Sequence, residues 1–389
     1  MLFRSDKLDT TYAEGTLTWS GDAVDADGTL HTDFEGTKAV TLTAVFAQGE
    51  SKKSKTFGTF LVGGTDPDYI LSYTRNVVSS DLYADVLAYS MHLGWSDDGT
   101  SYQDLNHNSG VLFAKATSND KEQMTRKSLK HPYIFYRKDG SFGVIAVRTE
   151  GNGSTDTEAS DSVLIFTSDD LLTYTEVGCM DLNTTETVAS AVCAYDPIND
   201  LYEITWEDAD GDYHKNTVAD ITDLDGATEP VDAEEPEIVT AETEITGAVE
   251  SNVIPVSEKS GEHVKTKLSV LENVDMQVPA SIEASSADEL SDVTVKAVYN
   301  DGTTNEKKVS WNTDNVDWDK KGTYQITGEV LQTTYAFPQM SARPDPQIVN
   351  YHGMYYFIST DESGQGRIYI RKASSLKQMA SAKRSEERR

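Results

Sequence analysis

Asp345 stands between Pro344 and Pro346, ahead of Gln347-Ile348-Val349-Asn350-Tyr351-His352-Gly353-Met354-Tyr355-Tyr356-Phe357-Ile358. The two prolines restrict the backbone on both sides, so the carboxylate is aimed rather than free. An aimed carboxylate is either available for proton chemistry or merely caps a turn before the strand. Another Asp-Pro step occurs at Asp66-Pro67-Asp68, where Asp66 and Asp68 are the carboxylates. His131, just before Pro132, has two ring nitrogens that can bond a hydroxyl-rich ligand, or it packs at a strand start. Glu203 and Glu207 are spare acids without a motif, and a solvated strand face is their ordinary role. The cluster Asp208-Ala209-Asp210-Gly211-Asp212 invites a calcium reading. Its sixth position is Tyr213, where an EF-hand loop needs glycine, so a hairpin turn is expected. No cofactor is called for, and a structural calcium ion has no motif behind it.

The elements that position these groups read as strands throughout. Alternation on both sides of His352-Gly353 predicts a hairpin with one buried face, spanning the region 342–380. Residues 66–225 carry a repeat. Gly94-Trp95-Ser96-Asp97-Asp98-Gly99-Thr100-Ser101-Tyr102 returns as Phe166-Thr167-Ser168-Asp169-Asp170-Leu171-Leu172-Thr173-Tyr174. Each is a strand end, a turn tied by Ser and Asp oxygens, and an aromatic cover. Hairpins of this kind recur once per blade in β-propellers. Residues 226–251 are acidic and contain proline, which predicts a linker.

Residues 1–63 and 252–335 have a different rhythm of Thr and Val alternation. In the first, Asp25-Ala26-Asp27-Gly28 supplies a turn and Trp19 reads as a core anchor. In the second, Asn300-Asp301-Gly302 between alternating strands is a strong hairpin signal. Both segments resemble bacterial immunoglobulin-like domains, the first of them incomplete. Cys179 and Cys193 fall near predicted neighbouring strands. They either pair, which would stabilise by roughly 3 kcal/mol for such a loop, or stay buried as free thiols. Without a Cys-x-x-Cys there is no zinc signature. From Ser381 the chain turns basic and loses its strand pattern, so 381–389 reads as a non-native tail and the chain as truncated.

The Arg343-Pro344-Asp345-Pro346 stretch with its hairpin resembles the opening blade of the family 43 glycoside hydrolases, which are five-bladed β-propellers. The expected fold class is therefore all-β: Ig-like β-sandwich modules plus β-propeller blades, a partial family 43-like propeller. The resemblance implies that Asp345 is the general base of an inverting hydrolysis. Two carboxyl groups roughly 6.5–9.5 Å apart then flank the glycosidic bond. It also implies a pKa-modulating Asp in blade two and an acid Glu in blade three, both expected beyond residue 389. Asp66 or Asp68 matches the blade-one motif of the 66–225 region more weakly. There His131 stands where the family has its blade-two Asp, and Val192 lies near the expected acid. Valine transfers no proton, so this second set is expected to be degenerate.

Formal net charge is −32 over 389 residues, which argues against nucleic acid and anionic membranes as partners. No apolar run is long enough for a membrane span. The expected partner is a polysaccharide or oligosaccharide, and the expected location is outside the cell or at its surface, with no signal peptide in this chain. The function implied is a fragment of a glycoside hydrolase acting on arabinose- or xylose-containing plant polysaccharides. A non-catalytic carbohydrate-binding or adhesion protein is the alternative. A third arrangement, one composite propeller assembled across the inserted Ig-like domain, stays open.

Overall fold

The computed structural model describes residues 8, 11–12, 15–64, 66–76, 85–118, 122–332, 340–341, 343–344, 346–351, 353–360 and 367–388. The chain divides into two units, Met1–Leu271 and Glu272–Arg389. The described residues are mainly β, in four-stranded antiparallel sheets.

The first unit opens with a sheet of Thr11–Tyr12, Gly15–Gly21, Thr37–Gln48 and Ser51–Val62. Its small core holds Leu30, Val40, Leu42 and Leu61, with Trp19 half-buried against it. Phe60 leaves this sheet and packs against Tyr136 and Tyr195, ring centroids 5.1 and 6.2 Å away. The approach is close at Gly58, where a Cβ would fall 2.7 Å from Pro197.

Three blades follow. The second blade is a plain meander of Lys127–Tyr136, Phe142–Glu150, Ser162–Ser168 and Thr175–Asp181. The third is Val188–Asp196, Leu201–Asp208, Tyr213–Val218 and Val231–Asp232. The Ser-Asp-Asp turns are tied as their sequence predicts. Ser96 Oγ accepts from Gly99 N–H and Ser168 Oγ from Leu171 N–H, each at 2.9 Å. Asp98 and Asp170 hold the next two amides in the same way. The Asp208 turn closes likewise, its Oδ1 accepting from Asp210 and Asp212 N–H and its Oδ2 meeting His214 Nε2 at 3.1 Å.

The first blade corrects the expected boundaries. Asp68–Arg75, His92–Ser96 and Gln103–Asp104 are joined by Ala248–Val256, which pairs with Asp68–Arg75 on its far side. The boundary expected at 251–252 therefore runs through a strand. The helix Glu258–Leu268, capped by Ser257 accepting from Ser260 N–H, buries Val264 in the same core. The acidic stretch expected as a linker covers the blade's other face. Val253 N–H bonds Val239 O at 2.7 Å, and Ala241 and Ile245 lie on Tyr69, Leu71 and Tyr73.

Both cysteines are free. Cys179 packs against the core between the first and second blades and Cys193 lies in the core between the second and third. Burial pushes both thiols up.

Among the described residues the second unit holds two sheets. One is Asn273–Gln277, Thr294–Tyr299, Thr304–Asn312 and Thr327–Val330, with Val295, Ala297 and Val309 buried. Its Asn300-Asp301-Gly302 turn has Gly302 at φ +75°, and Asp301 Oδ1 accepts from Thr303 N–H at 2.9 Å. The other is Gln347–Tyr351, Met354–Thr360, Arg367–Ala373 and Arg384–Arg388. The stretch expected to lose its strand pattern after Ser381 thus pairs, Arg388 opposite Arg367 and Arg384 opposite Arg371. Tyr351 pairs with Met354 around Gly353, as the hairpin reading predicts, but the expected buried face is confined to Met354–Thr360, because Gln347–Tyr351 is exposed throughout.

Candidate functional site

The strands Lys127–Tyr136, Val188–Asp196 and Ala248–Val256 lie side by side as the inner strands of the three blades. Each carries one extra residue against its neighbour. The register slips between Glu250 and Asn252, between Lys130 and Tyr133, and between Val188 and Ser190. Bulges of this kind bend a strand and re-aim a side chain, and they gather at barrel rims and beside active sites. Pro132 explains one of them, since a proline cannot donate to a ladder and is tolerated at a bulge.

Two of the bulges share a level because a side chain locks the strands together. Asn252 Oδ1 accepts from Ile134 N–H at 2.9 Å, and its Nδ2 donates to Ile134 O at 2.8 Å. The amide thus pairs with Ile134 as a strand would. Beside it, Ser72 Oγ donates to Pro132 O at 2.7 Å. Tyr136 OH donates to Pro255 O at 2.5 Å, so the two inner strands run in the same sense.

At the bulge, His131 adopts φ +51° and exposes its side chain. A non-glycine residue in the left-handed region costs of order 1 kcal/mol, and such strain concentrates where function holds it. The surrounding protein and the charge of Lys130 hold the imidazole below its ordinary pKa, while Glu207 pulls it the other way. Lys130 Nζ lies 4.7 Å from the centre of the Tyr89 ring. From the third blade, Glu207 accepts from Ser190 Oγ at 3.1 Å, next to the bulge there. The bulges of the second and third blades thus bring an imidazole, a carboxylate and a hydroxyl to one mouth, while the Lys130 ammonium, beside the second-blade bulge, lies over the Tyr89 ring of the first blade. These groups can hold a polyhydroxylated ligand.

The structure separates Asp68 from this mouth. Asp68 pairs opposite Val256, and from Asn252 to Val256 the strand rise amounts to about 13 Å. Its carboxylate is buried and accepts from Trp95 Nε1 at 2.9 Å, while Lys265 Nζ caps the Trp95 ring at 3.5 Å. Burial raises the Asp68 pKa, opposed by the Trp95 bond; Glu262 and Glu258 raise it further and Lys265 lowers it. A side chain at Gly261 would strike that carboxylate. Asp68 therefore anchors a helix to a blade. Asp66 is exposed in the approach to the same strand. Val192 is half-buried on its strand. Asp345 and His352 lie outside the described residues, but Asp345's neighbours are held. Pro344 O accepts from Thr360 N–H at 3.2 Å, and the Arg343 guanidinium lies 4.9 Å from the Tyr369 ring centre.

Sequence reasoning missed Asn252, Ser190, Lys130 and Tyr89 around the bulges, and it left Glu207 on a solvated face. The signal for the bulge was His131-Pro132 inside an otherwise buried strand. Nothing local marked Asn252, whose partners lie 118 and 180 positions away.

Residues 293–333 match the bacterial Ig-like domain (group 4). Among curated proteins none matches the chain. Among solved structures, the chain is similar to a sucrose-6-phosphate hydrolase from Lactobacillus gasseri, 12% identical over 91% of this chain and 88% of that one, with a TM-score of 0.32. It is also similar to an exo-β-1,3-galactanase from Phanerochaete chrysosporium, 11% identical over 69% of this chain, with a TM-score of 0.19; it spans 52% of that chain. A third is an α-L-arabinofuranosidase from Clostridium thermocellum, 11% identical over 63% of this chain and 68% of that one, TM-score 0.22. Likeness at these identities and scores says nothing about chemistry, which has to come from the residues.

Proposed function

We propose that the protein is a modular, secreted glycoside hydrolase acting on arabinose- or xylose-containing plant polysaccharides, and that its two propeller regions divide the work. The blades of the first unit bind carbohydrate at their bulged mouth without cleaving it. Asp345 is the general base of the inverting reaction, taking a proton from the water that attacks the anomeric carbon while a second carboxyl group protonates the leaving oxygen. The observation that carries the division is the identity of the bulged positions. His131, Ala189 and Ser251 stand there, and none is a carboxylate. Of the acids beside the bulges, Glu250 is bonded by Thr243 and Asp208 is tied into its own turn, which leaves Glu207, and one carboxyl group cannot serve as base and acid at once.

The test pairs turnover with binding. In the natural full-length protein, with aryl arabinofuranosides and xylosides, Asp345→Asn should lower product release roughly a thousandfold. His131→Ala should weaken arabino-oligosaccharide binding, measured by calorimetry, and leave release from the small aryl substrates unchanged. Turnover that survives in Asp345→Asn and disappears in Glu207→Gln would overturn the assignment. Oligosaccharide binding by the wild type with no turnover at all would favour a carbohydrate-binding or adhesion protein, a reading that the bulged positions also support.

A further inference from the structure

The hairpin Thr37–Gln48 and Ser51–Val62 departs from the charge of the rest of the chain. Across the protein 65 acidic residues face 33 basic ones, whereas residues 37–62 contain Lys38, Lys52, Lys53 and Lys55 against the single acid Glu50. Lys52, Lys53 and Lys55 are exposed on the edge strand of the sheet, and no described carboxylate pairs with them.

The face beside these lysines is aromatic. Register places Phe46 opposite Lys53, and Ala44 between Trp19 and Lys55. Side chains two apart along a strand share a face, so Lys53, Lys55 and Phe57 line one side with Phe46 and Trp19. Lys55 Nζ sits 5.0 Å from the centre of the Phe57 ring, and Trp19 lies 6.4 Å from Phe57, tilted by 41°. Phe46, Phe57 and Trp19 are each half-buried.

Edge lysines guard a sheet against unwanted pairing, but a charge of either sign does that. A chain that elsewhere prefers acids two to one would meet that need with Asp or Glu. The choice of lysine, next to half-exposed rings, points to a ligand. We propose that this hairpin face docks an acidic polysaccharide, a uronate-bearing chain whose carboxylates meet Lys53 and Lys55 and whose sugar rings lie on Phe57 and Trp19. This site is independent of the bulged mouth and of Asp345.

Physical scale favours a thin polymer over a surface. Charges beyond a Debye length of about 8 Å are screened at physiological salt, so a single polysaccharide strand feels the lysine strip alone. A planar anionic membrane would meet the acidic remainder of the molecule as well, and be repelled.

The experiment is affinity electrophoresis of the full chain in gels containing polygalacturonate, with neutral linear arabinan as the comparison and flotation with phosphatidylserine vesicles as the second arm. Retardation should appear in polygalacturonate and weaken as salt rises. The variant Lys53→Gln, Lys55→Gln should bind roughly tenfold more weakly. The lysines are exposed, so this variant should keep the wild-type melting temperature, and Phe57→Ala provides a separate probe of the aromatic contribution. The proposal falls if polygalacturonate does not retard the protein, if the double variant is retarded equally, or if vesicles bind and polygalacturonate does not.

Discussion

The two Asp-Pro openings begin alike and end in opposite environments. After Asp66-Pro67, the strand Asp68–Arg75 is buried along nearly its whole length, held between Ala248–Val256 and His92–Ser96. After Asp345-Pro346, the strand Gln347–Tyr351 is an edge, exposed at every position, with Ile348, Val349 and Tyr351 about half accessible. The same short signature therefore opens two strands of different rank. In the first unit the inner position belongs to a strand arriving about 180 residues later. Asp68 is displaced with its strand into a structural task. A base assigned by motif alone assumes that the strand after it is the inner one.

The clasp is the most direct way to break this comparison. Asn252 holds both hydrogen bonds of Ile134 and is 3% exposed. In Asn252→Leu the Ile134 amide and carbonyl lose their partners inside the protein. Each buried unsatisfied group costs about 1–3 kcal/mol, so the variant should lose about 4 kcal/mol in urea denaturation. It should also lose oligosaccharide binding, because His131 is aimed by the strand that Asn252 fixes. A loss under about 1 kcal/mol would mean that the late strand is a loose edge, and the two openings would no longer differ.

The buried opening should also answer to pH. His92, opposite Tyr73, is fully buried with its Nδ1 3.0 Å from Ser90 O. Burial lowers its pKa to about 4, the Ser90 bond works against this, and Arg75 adds to the lowering. Between about 4 and the ordinary value of 6.5, the unfolded chain binds a proton that the folded chain refuses. Stability contributed by neutral His92 is thus present above about 6.5 and is lost as pH falls towards 4. The loss should approach roughly 3 kcal/mol. His92→Phe should flatten the stability profile across that window, and an unchanged slope would show that the ring is hydrated.

Much of the fold was legible because its signals are local. Ser96-Asp97-Asp98 and Ser168-Asp169-Asp170 state their turns in the sequence, and Asn300-Asp301-Gly302 states its hairpin. Strand Ala248–Val256 was not legible. Its partner is far away, and the Glu-rich stretch before it looked like a linker, although Ala241 and Ile245 are its apolar contacts with the blade. The mouth was half legible. His131-Pro132 announced a break in a strand, but the bulges at Ser251 and Ala189 depend on register, which no single strand encodes.

Asp68 offers a finer cut, since two substitutions separate shape from charge. Asp68→Leu leaves Trp95 Nε1 without its acceptor in a buried site and should cost about 2 kcal/mol. Asp68→Asn keeps an oxygen for that bond and removes a carboxylate whose pKa burial has raised. The folded state of the wild type holds that proton more tightly than the unfolded chain, so its stability falls as pH rises from 3.8 through the raised value. Asp68→Asn should lose that slope and match or exceed wild-type stability at neutral pH. A catalytic Asp68 would instead show turnover falling in Asp68→Asn with stability intact.

The smallest expected effect is the most pointed. Asp66 occupies the same place in its Asp-Pro step as Asp345 does in its own, yet it is exposed and precedes a strand that is second, not first, in its blade. Exposed positions of this kind change stability by no more than about 0.5 kcal/mol. Asp66→Asn should therefore leave the urea midpoint, oligosaccharide binding and release from aryl glycosides at wild-type levels, while Asp345→Asn in the same assays abolishes release. If Asp66→Asn also abolishes release, the buried opening is catalytic after all, and the rank of a strand within its blade does not decide which carboxylate does chemistry.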